Sequence, residues 1–193
     1  MVTVEIVSAG TSTASASTEL AMRMSSATDT TLRLHAIEGE FRLLDLKSHA
    51  LQMMESFLNR NRTAAVEDLV SRITRADALI ISTPILNASY SPLLKLLVDI
   101  IGRDDLRGKP VVLAGTGGSD RHCLALDLSV RPLLTYMKCA VTSTSVFSRA
   151  PLQRLDEELH QRIHQAAEEL AASIAQNHPR RVPGAQPVTT AAG

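Results

Sequence analysis

The sequence predicts an α/β fold, a doubly wound sheet of five parallel strands with helices on both faces. Short apolar runs rich in β-branched residues alternate with segments whose apolar residues recur at the helical period. The chain has 193 residues, of which 45% are hydrophobic and 21% charged, and this suits one domain with a sizeable core. We find no internal repeat that would indicate a solenoid or a propeller.

The first half of the chain predicts three strands and two helices. Strands are expected at residues 2–8, at residues 31–38, where apolar and polar residues alternate, and at residues 77–82. Helices are expected from residue 17 and over residues 64–76, where four apolar residues recur at the helical period. The piece from residue 39 to residue 62 is less regular and is expected to cross the surface.

The second half predicts two further strands and three helices. These elements are a helix at 91–102, a strand at 110–116, a helix at 121–138 kinked near Pro132, a strand at 140–147 and a helix from Leu152. The buried stripe predicted for the last helix consists of Leu155, Leu159, Ile163, Ala166, Leu170 and Ile174. Residues 177–193 have little to bury and are expected to form a disordered tail, which leaves a domain of residues 1–176.

Composition excludes several classes of function. Twenty basic and twenty acidic residues cancel, so no charge excess recruits nucleic acid or an anionic membrane. Aromatic residues make up 3% of the chain, too few for a base-stacking surface. Cys123 and Cys139 form neither a zinc spacing nor a disulfide framework, which favours a reduced, cytoplasmic compartment. We see no signal peptide and no apolar stretch of the ~20 residues that a membrane helix needs.

Ligands of such sheets bind in crevices at the carboxyl ends of the strands, so the loops after the strands are the places to search. The first loop, "SAGTSTASASTE" (residues 8–19), is rich in Ser and Thr and has no cation before Arg23. Hydroxyls and the free N–H groups of a helix N-terminus can hold a phosphate without Lys or Arg. A solvated turn with an ordinary N-cap is the alternative. The pattern is neither a P-loop nor a GxGxxG motif.

Two later loops could border a planar ring. In "STPILNASYS", Pro84 is expected to stop the third strand, so that backbone groups and Tyr90 face a heterocycle. In "GTGGSD" (residues 115–120), adjacent glycines allow a close approach of the backbone to a ligand. Each could also be a plain turn. Together, however, the three loops follow the strands around the switch point of a flavodoxin-like 2-1-3-4-5 sheet, which is the layout of a flavin mononucleotide (FMN) site.

The run "STPILNASYSPLLKLLVDII" followed by "LRGKPVVLAGTGGSDRHCLALDLSVRPLL" resembles the NAD(P)H-dependent FMN reductases of the flavodoxin-like superfamily. Within that family it is most similar to reductases that serve alkanesulfonate-type two-component monooxygenases. The resemblance implies an enzyme that moves hydride from NADPH or NADH to FMN, with no catalytic side chain and no metal. It also implies a homodimer or homotetramer and a flavin-dependent monooxygenase as partner.

The same resemblance assigns cofactor contacts. The residues expected near the FMN phosphate are Ser8, Thr11, Ser15, Ser17 and Thr18. Those expected at one side of the ring are Pro84, Ile85, Leu86, Asn87, Ser89 and Tyr90. Those expected at its other side are Thr116, Gly117, Gly118 and Ser119.

The chain departs from the family pattern in ways that keep other functions open. Relatives usually carry an Arg in the first loop, where this chain has Ser, Thr and Ala around Ser12 and Thr13. This leaves open the choice between NADH and NADPH. Leu86, Pro92 and Leu128 also replace a usual Tyr, Gly and aromatic residue. A quinone or azo-compound reductase, or an FMN-binding electron carrier that does not use NAD(P)H, are the alternatives.

Other chemically suggestive residues have plainer interpretations. His160 and His164 are expected on a solvated helix face rather than around a metal. Cys123 is expected to be buried, and His122 to be exposed rather than close to a cofactor. Lys95 and Asp99 are expected to form an ion pair along one helix. The helix over residues 121–138 is apolar nearly all round, which suggests a subunit interface.

Overall fold

The computed structural model describes residues 1–152 and 157–177. In this part of the chain the strands are β1 (Val2–Ser8), β2 (Gly39–Asp45), β3 (Ala78–Leu86), β4 (Ser89–Tyr90), β5 (Pro110–Gly117), β6 (Ala140–Val141) and β7 (Val146–Arg149). The α-helices are α1 (Ala16–Leu34), α2 (Ala50–Asn59), α3 (Ala64–Arg75), α4 (Pro92–Ile100), α5 (Arg131–Tyr136) and α6 (Glu157–Asn177).

The strands form one sheet in the order β2-β1-β3-β5, with β6 and β7 both on the far side of β5. These neighbours are all parallel, and only the short β4 pairs antiparallel, with β3. Because β6 and β7 pair successive stretches of β5, they are two pieces of one edge strand. The predicted order 2-1-3-4-5 and the helices on both faces are therefore confirmed, although the described residues form seven strands rather than five.

Two apolar clusters cover the two faces of the sheet. On one face, α1 and α6 pack together and bury Leu20 and Leu170 against β1, β3 and β5. On the other face, α3, α4 and α5 bury Leu69, Leu97 and Leu134. A parallel sheet needs this cover because both of its faces are apolar.

The prediction of a strand over residues 31–38 is wrong, because α1 runs on to Leu34 and the second strand is Gly39–Asp45. Leu32 and Leu34 match a period of two, but Leu32 is buried on the core face of α1 and Leu34 is exposed. The helix then ends in a reversal in which Ala36 adopts a left-handed conformation, with φ of 56°. No glycine marks this end.

The prediction that residues 39–62 are irregular is also wrong. They form β2, a 3-10 turn and α2. Met53 of α2 is buried, whereas Leu51 and Leu58 are 84% and 69% exposed. The apolar residues of α2 therefore do not form one core-facing stripe, and their spacing in the sequence does not show the helical period.

The third strand does not end at Pro84. β3 continues to Leu86, and Pro84 pairs with Thr116 of β5. The pairing of β1 with β3 stops at Ser82, and β4 pairs only with Ile85 and Leu86, so Pro84 has no strand partner on the side of β3 that faces β1. A proline is tolerated there because its missing N–H breaks no ladder bond on that side.

The segment after β5 is a kinked series of turns rather than one helix. It contains a 3-10 turn at Asp120–His122 and a π-helical turn at Leu126–Val130, and α5 follows. Pro132 lies in the first turn of α5, where proline is tolerated, so the irregularity precedes it. Cys123 is exposed, which contradicts its predicted burial.

The predicted strand over residues 140–147 is broken by four polar residues at 142–145. Thr144 donates its backbone N–H and its hydroxyl to the carboxylate of Glu169 in α6, at 2.8 and 2.6 Å. This contact holds the break against the α6 face of the sheet.

The last helix is described from Glu157. Leu152, the predicted start, is not helical, and residues 153–156 fall outside the described ranges. Leu155 and the predicted tail beyond Asn177 also lie outside the described residues, and the domain boundary stays a prediction. Leu159 packs at the edge of the core. The remaining predicted stripe is buried and consists of Ile163, Ala166, Leu170 and Ile174.

Candidate functional site

The loops after β1, β3 and β5 meet at one edge of the sheet. In the strand register, Ser8 lies beside Ser82, and Pro84 lies beside Thr116. The first loop leaves β1 along β3, where Ala9 donates its N–H to the carbonyl of Ser82 at 2.8 Å. The three predicted ligand-facing loops are therefore neighbours at the carboxyl edge, where doubly wound sheets bind their ligands.

The first loop ends in a capped helix. The side chain of Ser15 accepts a hydrogen bond from the N–H of Thr18 at 3.2 Å, which makes Ser15 the N-cap of α1. The N–H groups of Ala16 and Ser17, in the first turn, have no partner within the helix by its geometry. Thr11 is exposed, and Ser15 and Thr18 are partly exposed. A helix start with these free donors is suited to an anion.

Three of the predicted hydroxyls lie below this surface. Ser8, Ser17 and Thr116 are each at most 2% exposed. The hydroxyl of Ser8 lies 2.7 Å from that of Thr18, and the hydroxyl of Ser17 lies 2.7 Å from that of Thr116. Ser82 adds a hydrogen bond to the carbonyl of Ser17 at 2.8 Å. These groups tie α1 to the sheet, and their direct contact with a ligand stays a prediction.

Gly10 allows the loop to fold this tightly. A Cβ atom at this position would lie 2.0 Å from the hydroxyl oxygen of Ser15, which is a severe overlap. The N-cap side chain therefore occupies the space in which a side chain at position 10 would lie.

The second loop is a β-hairpin between β3 and β4. Asn87 and Ala88 have φ of 49° and 65°, the signs that a type I′ turn requires. Leu86, Asn87 and Ser89 are exposed at the tip, whereas the side chain of Ile85 is buried in the core. The sequence predicts that six residues border the ring together, namely Pro84, Ile85, Leu86, Asn87, Ser89 and Tyr90. In the structure they separate into an exposed tip and residues that support it from below.

The supports of the hairpin also position α4. Tyr90 is half-buried and packs against the core cluster. The hydroxyl of Thr83 accepts the N–H of Ser91 at 2.9 Å. Ser91 in turn caps α4 by accepting the N–H of Leu93 at 3.2 Å. Two consecutive backbone–side-chain bonds thus join the base of the hairpin to the start of α4.

In the third loop, Gly117 is constrained and Gly118 is open. A Cβ on Gly117 would lie 3.0 Å from Nδ1 of His122 and 3.1 Å from the ring of Phe147. A Cβ on Gly118 would meet no atom within 4 Å, so this position faces open space. The loop then turns at Ser119, whose hydroxyl accepts the N–H of Arg121 at 3.3 Å.

An ion pair ties the third loop to β7. The guanidinium of Arg149 binds the carboxylate of Asp120, and this hydrogen bond holds the pKa of Asp120 below its usual value. Ala150 also donates its N–H to the carbonyl of Gly117 at 2.9 Å. Because both side chains are well exposed, the pair contributes little to stability and serves mainly as a local connection.

His122 lies beside this loop and not free in solvent. It is half-buried, and its Nδ1 is buried without a hydrogen-bond partner. A buried, unpartnered ring nitrogen is unusual in a folded protein. The signal in the sequence was the position of His122, four residues after Gly118.

A groove of about 580 Å³ adjoins the first loop. It is lined by residues 14–16, by residues 150–152, and by Ser12 and Glu19. Sequence reasoning assigned no role to Glu19 or to the segment after β7. The one available signal for Glu19 was its place in the first turn of the helix that follows the Ser/Thr-rich loop.

Two histidines of α6 lie next to each other. His160 and His164 contact each other edge to face, with ring centroids 4.5 Å apart. Within residues 1–152 and 157–177, no three His, Cys, Asp or Glu side chains cluster as metal ligands would. In the same residues, no helix has the length and apolar character to cross a membrane.

Comparison with known proteins decides the family. The model of the NADPH-dependent FMN reductase family matches residues 2–153. The chain belongs to this family. It is 35% identical over 136 residues to the NADH-dependent FMN reductase SfnF of Pseudomonas fluorescens (strain Pf0-1), which covers 68% of this chain and 73% of the relative.

Solved structures agree with this assignment. An oxidoreductase from Corynebacterium diphtheriae superposes with a TM-score of 0.86 at 34% identity, covering 91% of this chain and 98% of that chain. The NADH:FMN oxidoreductase EmoB, in its apo form, superposes with a TM-score of 0.78 at 26% identity, covering 90% of each chain.

The family assignment confirms several predictions. The protein is an NAD(P)H:flavin oxidoreductase with a flavodoxin-like fold that uses FMN with NADPH or NADH as electron donor. The residues at the carboxyl edge fit such a group, because hydroxyls and a helix N-terminus are suited to a phosphate. The open space at Gly118 and the exposed hairpin tip leave room for a flat ring.

Proposed function

We propose that this FMN reductase binds flavin between its three carboxyl-edge loops and supplies the reduced flavin to a partner monooxygenase. The observation that carries the location is the meeting of the loops after β1, β3 and β5, where strand pairing makes Ser8, Ser82, Pro84 and Thr116 near neighbours. The resemblance to reductases of alkanesulfonate-type systems supports the partner. The first loop contains no cation that would favour NADPH over NADH.

In this proposal the first loop binds the phosphate. The N–H groups of Ala16 and Ser17 and the accessible hydroxyls of Thr11 and Ser15 are donors at the positive end of α1. Ser8, Ser17 and Thr18 fix the helix start through their hydroxyl pairs. Their side chains therefore act on the phosphate through the position of the backbone.

The ring lies between the second and third loops. The exposed hairpin tip at Leu86, Asn87 and Ser89 borders one side, and Gly118 and Ser119 border the other. Bound FMN supplies the capacity to accept and pass on a hydride, so the protein has to orient the ring and the nicotinamide and exclude water. For this reason we assign no general acid or base.

The chemical test separates the proposal from its alternatives. Purified protein is mixed anaerobically with FMN and then with NADH or NADPH, and the visible flavin band is followed. We expect bleaching, followed by faster turnover with free FMN than with a quinone or an azo dye. Faster reduction of quinone or azo dye would favour that reductase, and bound flavin that neither nucleotide bleaches would favour the electron carrier.

We also propose that the enzyme is a homodimer or homotetramer that uses the segment before α5. Leu124 and Leu128 are 60% and 72% exposed there, while Leu126 is buried. Two neighbouring exposed leucines are unusual for a free surface and favour contact with a second copy. Sedimentation of wild type and of Leu124→Glu/Leu128→Glu tests this, and an unchanged assembly state in the variant would contradict it.

Two free cysteines support a reduced, cytoplasmic compartment.

A further inference from the structure

The three carboxyl-edge loops differ in charge. Residues 8–18 of the first loop and residues 86–91 of the hairpin contain no Asp, Glu, Lys or Arg. The third loop contains an acid and a base, Asp120 and Arg121, and Arg149 at the end of β7 adds a second base. NADH and NADPH differ only by the 2′-phosphate on the adenosine of NADPH. The charged groups beside the third loop are therefore those that can tell the two donors apart.

The Asp120–Arg149 ion pair joins the edge of the groove to the loop that holds Gly118. Arg149 pairs with Gly117 in the strand register, and its Nε donates to the Asp120 carboxylate at 2.7 Å. Its Nη2 binds the other carboxylate oxygen. Ala150, the next residue, lines the groove. Because the hydride donor is a dinucleotide, its pyrophosphate and adenosine extend over the surface next to the flavin ring, and the third loop is part of that surface.

The two members of this ion pair differ in what they can still offer to a ligand. Their side chains are 65% exposed at Asp120 and 67% exposed at Arg149, so a ligand can reach both. Each oxygen of the Asp120 carboxylate has a further lone pair that can accept a ribose hydroxyl, as acidic residues do in NAD-binding folds. The charge of Arg149 is already neutralised. A 2′-phosphate would therefore gain little from Arg149 and would lie near a carboxylate that repels it.

The other charged side chains near the site do not discriminate in this way. Arg121 is exposed and forms no ion pair within residues 1–152 and 157–177. A free guanidinium there can bind the pyrophosphate, which is the same in both donors. Glu19, at the start of α1, is bound by Arg23 and borders the loop that we assign to the flavin phosphate.

We propose that Asp120, held in place by Arg149, selects NADH over NADPH by accepting hydrogen bonds from the ribose hydroxyls and repelling the 2′-phosphate. The inference rests on the proposed flavin site and names its electron donor. Asp120 contacts the adenosine half of the donor, so it sets which donor binds and takes no part in the hydride transfer from the nicotinamide to the ring.

The test measures kcat/KM for NADH and for NADPH, with FMN as acceptor, in wild type and in Asp120→Asn. In wild type we expect NADH to be preferred at least about tenfold, because a phosphate dianion and a carboxylate repel each other even at an exposed site. Asp120→Asn removes the repelling charge and frees Arg149, so kcat/KM for NADPH should rise at least about fivefold while that for NADH does not rise. Calorimetric titration of the oxidised, FMN-loaded enzyme with NADP⁺ and NAD⁺, where no hydride can move, should show the same change in the ratio of dissociation constants.

Two further variants serve as controls. Glu40→Gln breaks a similar exposed pair on β2, where two nitrogens of Arg42 lie 2.8 and 2.6 Å from the Glu40 carboxylate. Glu40 pairs with Thr3 near the start of β1, at the edge of the sheet opposite the three loops, so this variant should change neither donor. Arg121→Gln should weaken both donors by the same factor, because both carry the pyrophosphate.

The inference and the proposed function fail in different ways. A wild-type preference for NADH below about tenfold, or a donor ratio in Asp120→Asn within about fivefold of the wild-type ratio, overturns the role of Asp120 and leaves the reductase standing. An equal change of the ratio in Glu40→Gln overturns it as well. Failure of both donors to reduce FMN overturns the inference and the proposed function together.

Discussion

Buried hydroxyl pairs join the first helix to the sheet at the scale of single residues. Ser17 and Thr116 are 99 positions apart in sequence, yet their hydroxyl oxygens lie 2.7 Å apart in the interior. Both are polar residues in loops that the sequence predicts to face a ligand, so the sequence predicts both as ligand contacts. Their burial depends on how α1 lies across β3 and β5, which local sequence does not specify.

The first prediction concerns this pair. Ser17→Ala should lower the free energy of unfolding by about 1–3 kcal/mol, because it leaves the buried Thr116 hydroxyl without a partner. Thr116→Val in the same chain should recover part of the loss, since both polar groups are then removed. Urea unfolding of the single and double variants without flavin measures this. A strictly additive pair of losses would show that the hydroxyls do not interact.

The second prediction concerns the two cysteines. Burial raises the pKa of the Cys139 thiol to about 11, and the nearby Lys109 ammonium offsets this only in part. Cys123 is exposed. In the variant Cys123→Ser, the alkylation rate of Cys139 should rise roughly tenfold per pH unit from about pH 8 to about pH 10, because the thiolate is the reactive form. In Cys139→Ser, the rate for Cys123 serves as the control. A rate for Cys139 that levels off near pH 9 would contradict the raised pKa.

The β3–β4 hairpin gives the third prediction, at the scale of an element. Ala88 has φ of 65°, a left-handed conformation that costs an L-residue about 1–2 kcal/mol. Ala88→Gly should therefore raise the free energy of unfolding by roughly 0.5–1 kcal/mol, after the greater freedom of glycine in the unfolded chain is subtracted. The matched control is Ala172→Gly, at an exposed position inside α6, which should lower it by about 1 kcal/mol. A loss of stability in Ala88→Gly would mean that the turn has another conformation.

Elements with one clear apolar face were predictable, and those without one were not. Val66, Leu69, Val70 and Ile73 give α3 a regular buried stripe, and its position follows from the sequence. α2 exposes Leu51 and Leu58, so its apolar residues do not all face the core, and their spacing in the sequence does not reveal the helix. The end of α1 was missed because Ala36, not a glycine, makes the left-handed turn.

The whole molecule was the most predictable level. Alternating strands and helices, together with the right-handed crossovers of parallel sheets, leave few topologies, and the order 2-1-3-4-5 is found. The same topology brings the three loops to one edge without any knowledge of side-chain contacts. Which loop residues are exposed there is a different question, because it depends on packing between distant segments such as Gly117 and His122.

The most direct test of the flavin site uses the open space at Gly118. Gly118→Trp places a large side chain where a Cβ meets no atom, so the fold should tolerate it while the crevice is filled. Anaerobic reduction of FMN by NADH or NADPH is measured for wild type, for Gly118→Trp and for Ala172→Trp, a bulky control at an exposed position of α6. We predict that Gly118→Trp, folded by circular dichroism, loses at least about tenfold in kcat/KM for FMN while the control does not. Unchanged kcat/KM in Gly118→Trp would place the flavin away from this edge.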